Sequence, residues 1–251
     1  MAEQSAIEWT DATWGPVTGC TKVSPGCDHC YEERLAHRLK AMGNPKYVNA
    51  FELTLHQDAL ELPLRWRQPK RIFVNSMSDL FHVDVPDEYI LRVFDTMARC
   101  PHHVFQVLTK RSGRMRRWFA KMGPQPALPN VWIGVSVESS RYCWRVNDLR
   151  RIPAAVRFIS AEPLLGPLDG LNLEGIHWLI SGGESGPGFR VCDEAWVRGL
   201  RDRCVAEGVA YFHKQWGGRT PKAGGRLLDG RTWEEYPLPL PRREGHSVQL
   251  V

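Results

Sequence analysis

"VWIGVSV", residues 131–137, is apolar at nearly every position. A strand with one wet face alternates apolar and polar residues, whereas one covered on both faces reads as a near-continuous apolar run. Five further stretches have the same character: "RIFVNSM" (71–77), "HVFQVLTK" (103–110), "VRFISAE" (156–162), "IHWLISGG" (176–183) and "VAYFHKQ" (209–215). Each is bounded by turn or helix signals, and one more strand is expected before Cys20. Covered faces of this kind belong to parallel sheets.

Helical patterns fall between the strands. "DEYILRVFDTMARC" (87–100) spaces Ile90, Val93, Phe94 and Met97 for one helix face, with Pro86 just ahead of it. "DEAWVRGLRDRCVAEG" (193–208) offers Asp193 as an N-cap and Gly208 as a stop. Alternating strands and helices with short connections give right-handed βαβ units. The expected fold is α/β: a (β/α) barrel of the TIM type, partial or complete, with an open doubly wound sheet as the alternative. The expected organisation is a barrel domain over 1–216 and an irregular Gly- and Pro-rich extension over 217–251.

At 251 residues, 43% apolar and 24% charged, the chain has the composition of a globular protein. No stretch is long and apolar enough to cross a bilayer, and the polar start "MAEQSAIEWTDATW" lacks a signal-peptide core. A cytoplasmic protein without membrane contact follows as the expectation, and in that compartment clustered thiols bind metal more often than they form disulfides. The net charge of +5 is unevenly spread. "RWRQPKR" (65–71) and "KRSGRMRRWFAK" (110–121) combine cations with Trp, which suits phosphate contact and base stacking, so nucleic acid is an expected partner. A solvated helix face is the plainer alternative for the second stretch.

Functional residues of such folds gather at the carboxyl ends of the strands. Those ends carry Asn75, Ser76 and Asp79, then Thr109 and Lys110, Ser136 and Glu138, Ser160 and Glu162, Ser181 and Glu184, and Lys214 and Gln215. Polar groups on six strands, aimed at one mouth, point to a site rather than to structure alone.

"TGCTKVSPGCDHCYEERLAHRL" (18–39) places Cys20, Cys27 and Cys30 in a C-x6-C-x2-C motif leading into a helix. A closed zinc site needs four ligands, so zinc would require His29 or His37. Three thiolates suit a [4Fe-4S] cluster with one iron left open. Gly19 and Gly26 allow the tight turns such a loop needs.

The cysteine loop after the first strand, closing in "CDHCY", resembles the radical S-adenosylmethionine superfamily. "TWGPVTGCTKVSPGCDHCYEER" (13–34), "VNSMSDLF" (74–81), "SAEPLLGPL" (160–168), "GGESGPGFR" (182–190) and "FHKQWGG" (212–218) resemble a group of phage and bacterial three-cysteine proteins related to spore photoproduct lyase. The likeness spans roughly residues 7–218. It implies a cluster on Cys20, Cys27 and Cys30, with S-adenosylmethionine chelated at the open iron and cleaved reductively to a radical that abstracts hydrogen. It also implies an electron donor such as flavodoxin or ferredoxin. The usual superfamily spacing is C-x3-C-x2-C, from which this chain departs by three residues. The superfamily's Gly-Gly-Glu segment follows its second strand. Here "GGE" (182–184) follows the sixth, and "NSMSD" holds the second-strand place.

Ser76 and Asp79 are therefore the candidates for the cofactor's ammonium group, unless Asp79 caps the next element. Ser136 and Glu138 are candidates for its ribose, unless Glu138 pairs with an arginine such as Arg141. Glu162, Glu184 and Lys214 complete the candidate cofactor set. A thiol can donate a hydrogen atom, and Cys143 beside Tyr142 is the candidate catalytic pair, with Cys192 second; Cys100 and Cys204 read as core residues. The expected function is an iron–sulfur enzyme of this type acting on DNA, by lesion repair or base modification on a flipped base. The alternatives are a cluster protein that does not cleave S-adenosylmethionine, and a zinc-stabilised nucleic-acid binder.

Overall fold

The computed structural model describes residues 5–124 and 126–237. Among the described residues, nine strands and five α-helices alternate along the chain. The strands are β1 (Ala12–Trp14), β2 (Val17–Thr18), β3 (Thr54–Leu55), β4 (Arg71–Val74), β5 (Val104–Thr109), β6 (Val131–Ser136), β7 (Val156–Ala161), β8 (Trp178–Gly182) and β9 (Ala210–Gln215). The helices are α1 (Tyr31–Ala41), α2 (Asp87–Ala98), α3 (Ser112–Met122), α4 (Trp144–Arg150) and α5 (Glu194–Glu207).

Seven strands form one all-parallel sheet in the order β1-β4-β5-β6-β7-β8-β9, and β2 pairs with β3 in a small antiparallel ribbon. The sheet curls into a half-barrel. Among the described residues β1 and β9 do not pair, so the barrel is partial.

The apolar runs fill two different cores. Trp9, Phe73, Val104, Trp132, Phe158, Trp178, Ile180 and Phe212 pack together on one face. The alternate residues Ile72, Val74, Phe105, Val107, Ile133, Ile159, Leu179 and Tyr211 meet Ile90, Val93, Met115, Leu149 and Val197 on the other. Aromatic residues thus fill the concave side, and α2 to α5 cover the convex side. A doubly wound sheet would need helices on both faces, so that alternative does not hold.

Helix ends follow their sequence signals. Asp193 caps α5 by accepting from the Ala195 amide at 2.8 Å, and Gly208 ends it in the left-handed region at φ 69°. The described part of the expected extension lies on the sheet: Leu228 and Trp233 are buried, and Tyr236 packs on Trp178 with centroids 5.3 Å apart. Residues 238–251 lie outside the described residues. No helix among the described residues is long and apolar enough to cross a membrane.

Candidate functional site

The carboxyl ends of the sheet strands open into a cavity of ≈ 190 Å³. Its wall takes Cys20, Cys27 and Cys30 from the loop ahead of α1, and Tyr31 and Glu32 from the first turn of that helix. Facing them are Asp79, Lys110, Ser136, Glu162, Glu184 and Lys214, and the floor is apolar, built on Trp9, Phe51, Phe73 and Leu108. Asn75 also lines it and turns the chain at the end of β4, with φ 60°. Asparagine tolerates that left-handed conformation better than most residues, and here its Oδ1 accepts from the Val17 amide at 3.2 Å.

The three thiols are free and half-buried. Burial, followed by the charge of Asp79, pushes the Cys20 thiol up to about 12 despite the opposing pull of Arg111, whose Nη1 lies 3.6 Å from the sulfur. Burial and Glu32 push Cys30 up to about 11. Such thiols ionise readily only beside a strong positive charge, which metal ions supply. No group of three or more His, Cys, Asp or Glu among the described residues is arranged to hold one metal ion. His29 is turned instead to Glu184, with Nδ1 3.0 Å from Oε2, and His37 stands exposed on α1. A cluster is a different case, because each thiolate binds a separate iron. The donor set of three free thiols around one cavity fits a cluster with an open corner.

Carboxylates and cations share the opposite wall. Lys214 Nζ pairs with Glu162 Oε1 at 3.0 Å, and Ser160 donates to the other oxygen of Glu162 at 3.2 Å. Lys110 Nζ lies 3.3 Å from Ser136 Oγ and 3.9 Å from Glu138 Oε1. Burial opposes the Lys110 charge, but Glu138 and the neighbouring thiol and carboxyl groups outweigh it and raise its pKa. Burial pushes Glu32 up to about 8 in spite of Lys110 and Lys214.

Asp79 lines the cavity with both oxygens already engaged. It accepts from Thr109 Oγ1 at 2.7 and 2.8 Å, the Phe81 amide at 2.9 Å, the Lys110 amide at 3.1 Å and Arg111 Nη1 at 3.4 Å. It ties the ends of β4 and β5 together. Ser76 does not line the cavity and meets Tyr31 through its backbone carbonyl. Glu138 sits behind the wall, paired with Arg145 rather than Arg141. Tyr142 and Cys143 also lie off the cavity. Tyr142 stacks under the Arg145 guanidinium at 4.3 Å, and Cys143 packs against the convex core, so their positions do not bring them to the mouth. Cys192 is buried beside the cavity without lining it, and Cys100 and Cys204 are fully buried.

Four further residues belong here that were not singled out above: Glu32 and Arg111 line the cavity, Ser24 donates to Glu138 and Arg190 donates to Glu184. For Glu32 the signal is the acid two residues after the last cysteine, at a helix start. Arg111 directly follows a strand-end lysine. Nothing local marks Ser24 or Arg190.

The basic stretch 110–121 is largely neutralised. Arg114 and Lys121 pair with Asp87 at 3.3 and 2.7 Å, and Arg116 pairs with Asp148 at 2.8 Å, while Arg117 is exposed. In the other stretch Arg65 and Arg67 are exposed and Arg71 pairs with Asp11 at 2.8 Å.

No curated protein matches the sequence. One solved structure similar to this one is described as "Spore photoproduct lyase complexed with dinucleoside spore photoproduct". It shows 12% identity and a TM-score of 0.39, with 74% of this chain and 58% of that chain covered. This chain therefore spans less than two thirds of that protein's length. A family model covers residues 4–237, nearly the whole sequence, and on that match the chain belongs to the family described as "Protein of unknown function (DUF5131)".

Proposed function

We propose that the protein is an iron–sulfur enzyme of the radical S-adenosylmethionine type that acts on DNA. One observation carries the proposal: Cys20, Cys27 and Cys30 line a single cavity at the carboxyl ends of a parallel half-barrel, with charged side chains of both signs opposite them. Three thiolates from this loop hold a [4Fe-4S] cluster and leave one corner open. When bound, the cluster supplies the electron that splits S-adenosylmethionine into a radical able to abstract hydrogen, and a donor such as flavodoxin or ferredoxin replenishes it.

The chain's own part is to bind and enclose. Lys110 and Lys214 offer cations to an anionic group, and the Glu162 carboxylate offers an acceptor to a cationic one. The cavity floor of Trp9, Phe51 and Phe73 suits the flat face of a base. A base held in a duplex reaches such a floor only by leaving the stack. Arg65, Arg67 and Arg117 are exposed cations of the two basic stretches and the proposed phosphate contacts.

The test is anaerobic incubation of the reconstituted protein with a strong reductant and S-adenosylmethionine. Release of 5′-deoxyadenosine is expected, and its loss in Cys27→Ala. An iron-loaded protein that leaves the cofactor intact would contradict the enzymatic part of the proposal.

A further inference from the structure

We propose that Glu138 and Glu184 are positioning residues that grip the cysteine loop from two sides of the mouth rather than binding a ligand. The purpose of this grip rests on the cluster reading above, whereas its geometry stands without it. Between Cys20 and Cys30 the loop buries one side chain, Ser24, and most of the remainder is exposed or half-exposed. Apolar burial therefore contributes little to holding it in place, and polar ties have to do so.

The first tie comes from the end of β6. Glu138 is fully buried, and its Oε1 accepts from Ser24 Oγ at 2.6 Å. Its Oε2 accepts from Arg145 Nη1 at 2.8 Å, so the charge is compensated from below. The loop lies hard against this carboxylate. A Cβ on Gly26 would stand 2.6 Å from both Cγ and Oε1 of Glu138.

The second tie comes from the segment after β8. Glu184 is 5% exposed and accepts from the Arg190 amide and Nε, each at 2.9 Å, and from Arg190 Nη2. Its Oε2 lies 3.0 Å from His29 Nδ1, and Arg190 Nη2 reaches on to the Pro25 carbonyl at 2.8 Å. Burial opposes the Glu184 charge, yet the hydrogen bonds from Arg190 and His29 outweigh it and hold the carboxyl below its usual range. Cys27 thus sits between Ser24, tied to β6, and His29, tied beyond β8. Its own amide closes a tight turn onto the Ser24 carbonyl at 2.8 Å.

The full-length, cluster-free protein allows the test, by amide hydrogen exchange of the peptide 20–34. Ser24→Ala and His29→Ala each remove one tie from the loop side and leave Arg145 and Arg190 with their carboxylates. Each is expected to speed exchange of residues 24–30 roughly fivefold, the factor one hydrogen bond is worth. Ser24→Thr, which keeps a hydroxyl, is expected to restore protection, and exchange in β5 and β6 should not change. Glu184→Gln is expected to exceed His29→Ala, because it weakens the Arg190 bonds as well. Exchange in 24–30 that matches the parent protein in both loop-side variants would overturn the proposal. Iron uptake by the same proteins reports separately on the cluster. A parent protein that takes up no iron defeats the proposed function, while the exchange rates still decide the grip.

Discussion

Arg145 and Glu138 form an ion pair at 2.8 Å in which both side chains are almost wholly inaccessible, 2% and 1% exposed. Arg145 Nη1 also donates to the Ser136 carbonyl at 2.8 Å, so the pair anchors the end of β6 directly behind the cavity. Removing Arg145 leaves the buried Glu138 charge with only the more distant Lys110, 3.9 Å away, and breaking a buried pair typically costs about 3–5 kcal/mol. Arg145→Ala is accordingly expected to lower the unfolding free energy in urea by that order. A decrease below about 1 kcal/mol would contradict the pairing, since that is the range of exposed pairs.

A second prediction concerns pH. Burial, aided by His102 and Arg226 respectively, holds His103 and His213 at about 4, below their ordinary 6.5. The unfolded chain takes up these two protons near pH 6.5 and the folded chain only near pH 4. Folding is therefore favoured at and above neutrality and weakens as pH falls through that window, by at most about 3 kcal/mol per histidine. Unfolding curves at pH 7.5 and pH 5 check this. Glu32, raised to about 8 in the folded state, works in the opposite direction over the same window, so the comparison is made in a Glu32→Gln background, where equal stability at the two values would mean that the histidines are not held neutral. The carboxyl of Glu184, lowered in the folded state, adds its own destabilisation only at more acid pH.

Gly19 lies at φ +82°, and a Cβ there would stand 2.2 Å from the Glu52 carbonyl oxygen. Gly19→Ala is expected to destabilise the protein by more than about 1 kcal/mol and to displace the adjacent Cys20. Thermal melting and iron content of the purified variant measure the two effects. Unchanged values in both would show that the backbone relaxes there without consequence.

The two basic stretches should separate in their effects. Arg65, Arg67 and Arg117 are exposed, and replacing each with Ala is expected to weaken DNA binding and lower the salt slope by about one for each phosphate no longer neutralised. Arg114 and Arg116 are paired with Asp87 and Asp148, so Ala there should cost at most about 1 kcal/mol of stability and less affinity. Fluorescence anisotropy with labelled DNA across a salt series distinguishes the two groups. Weaker binding by the Arg114 variant than by the Arg65 variant would place the interface elsewhere.

The fold was legible because burial on both faces leaves its mark along each strand. "VWIGVSV" shows no alternation, since Trp132 belongs to the concave core and Val131 and Ile133 to the convex one. The Asp193 and Gly208 ends of α5 are written locally, in residues that each have one physical use at a helix terminus. Whether the sheet closes depends on pairing between β1 and β9, which no local spelling encodes. That Cys20, Cys27 and Cys30 gather around one cavity was legible from their spacing. The ties that hold their loop were not, because His29 and Glu184 are 155 residues apart. Tyr142 and Cys143 show the converse: they stand side by side in the sequence, and nothing in the spelling says that they pack against Arg145 and the convex core.

Elemental analysis of protein purified without oxygen decides most directly whether the cysteine loop holds a cluster. About four iron and four sulfide per chain are expected, with a brown colour that disappears in Cys27→Ala. Stoichiometric zinc without iron, or iron content unaffected by replacing Cys20, Cys27 and Cys30 with Ala, would contradict it.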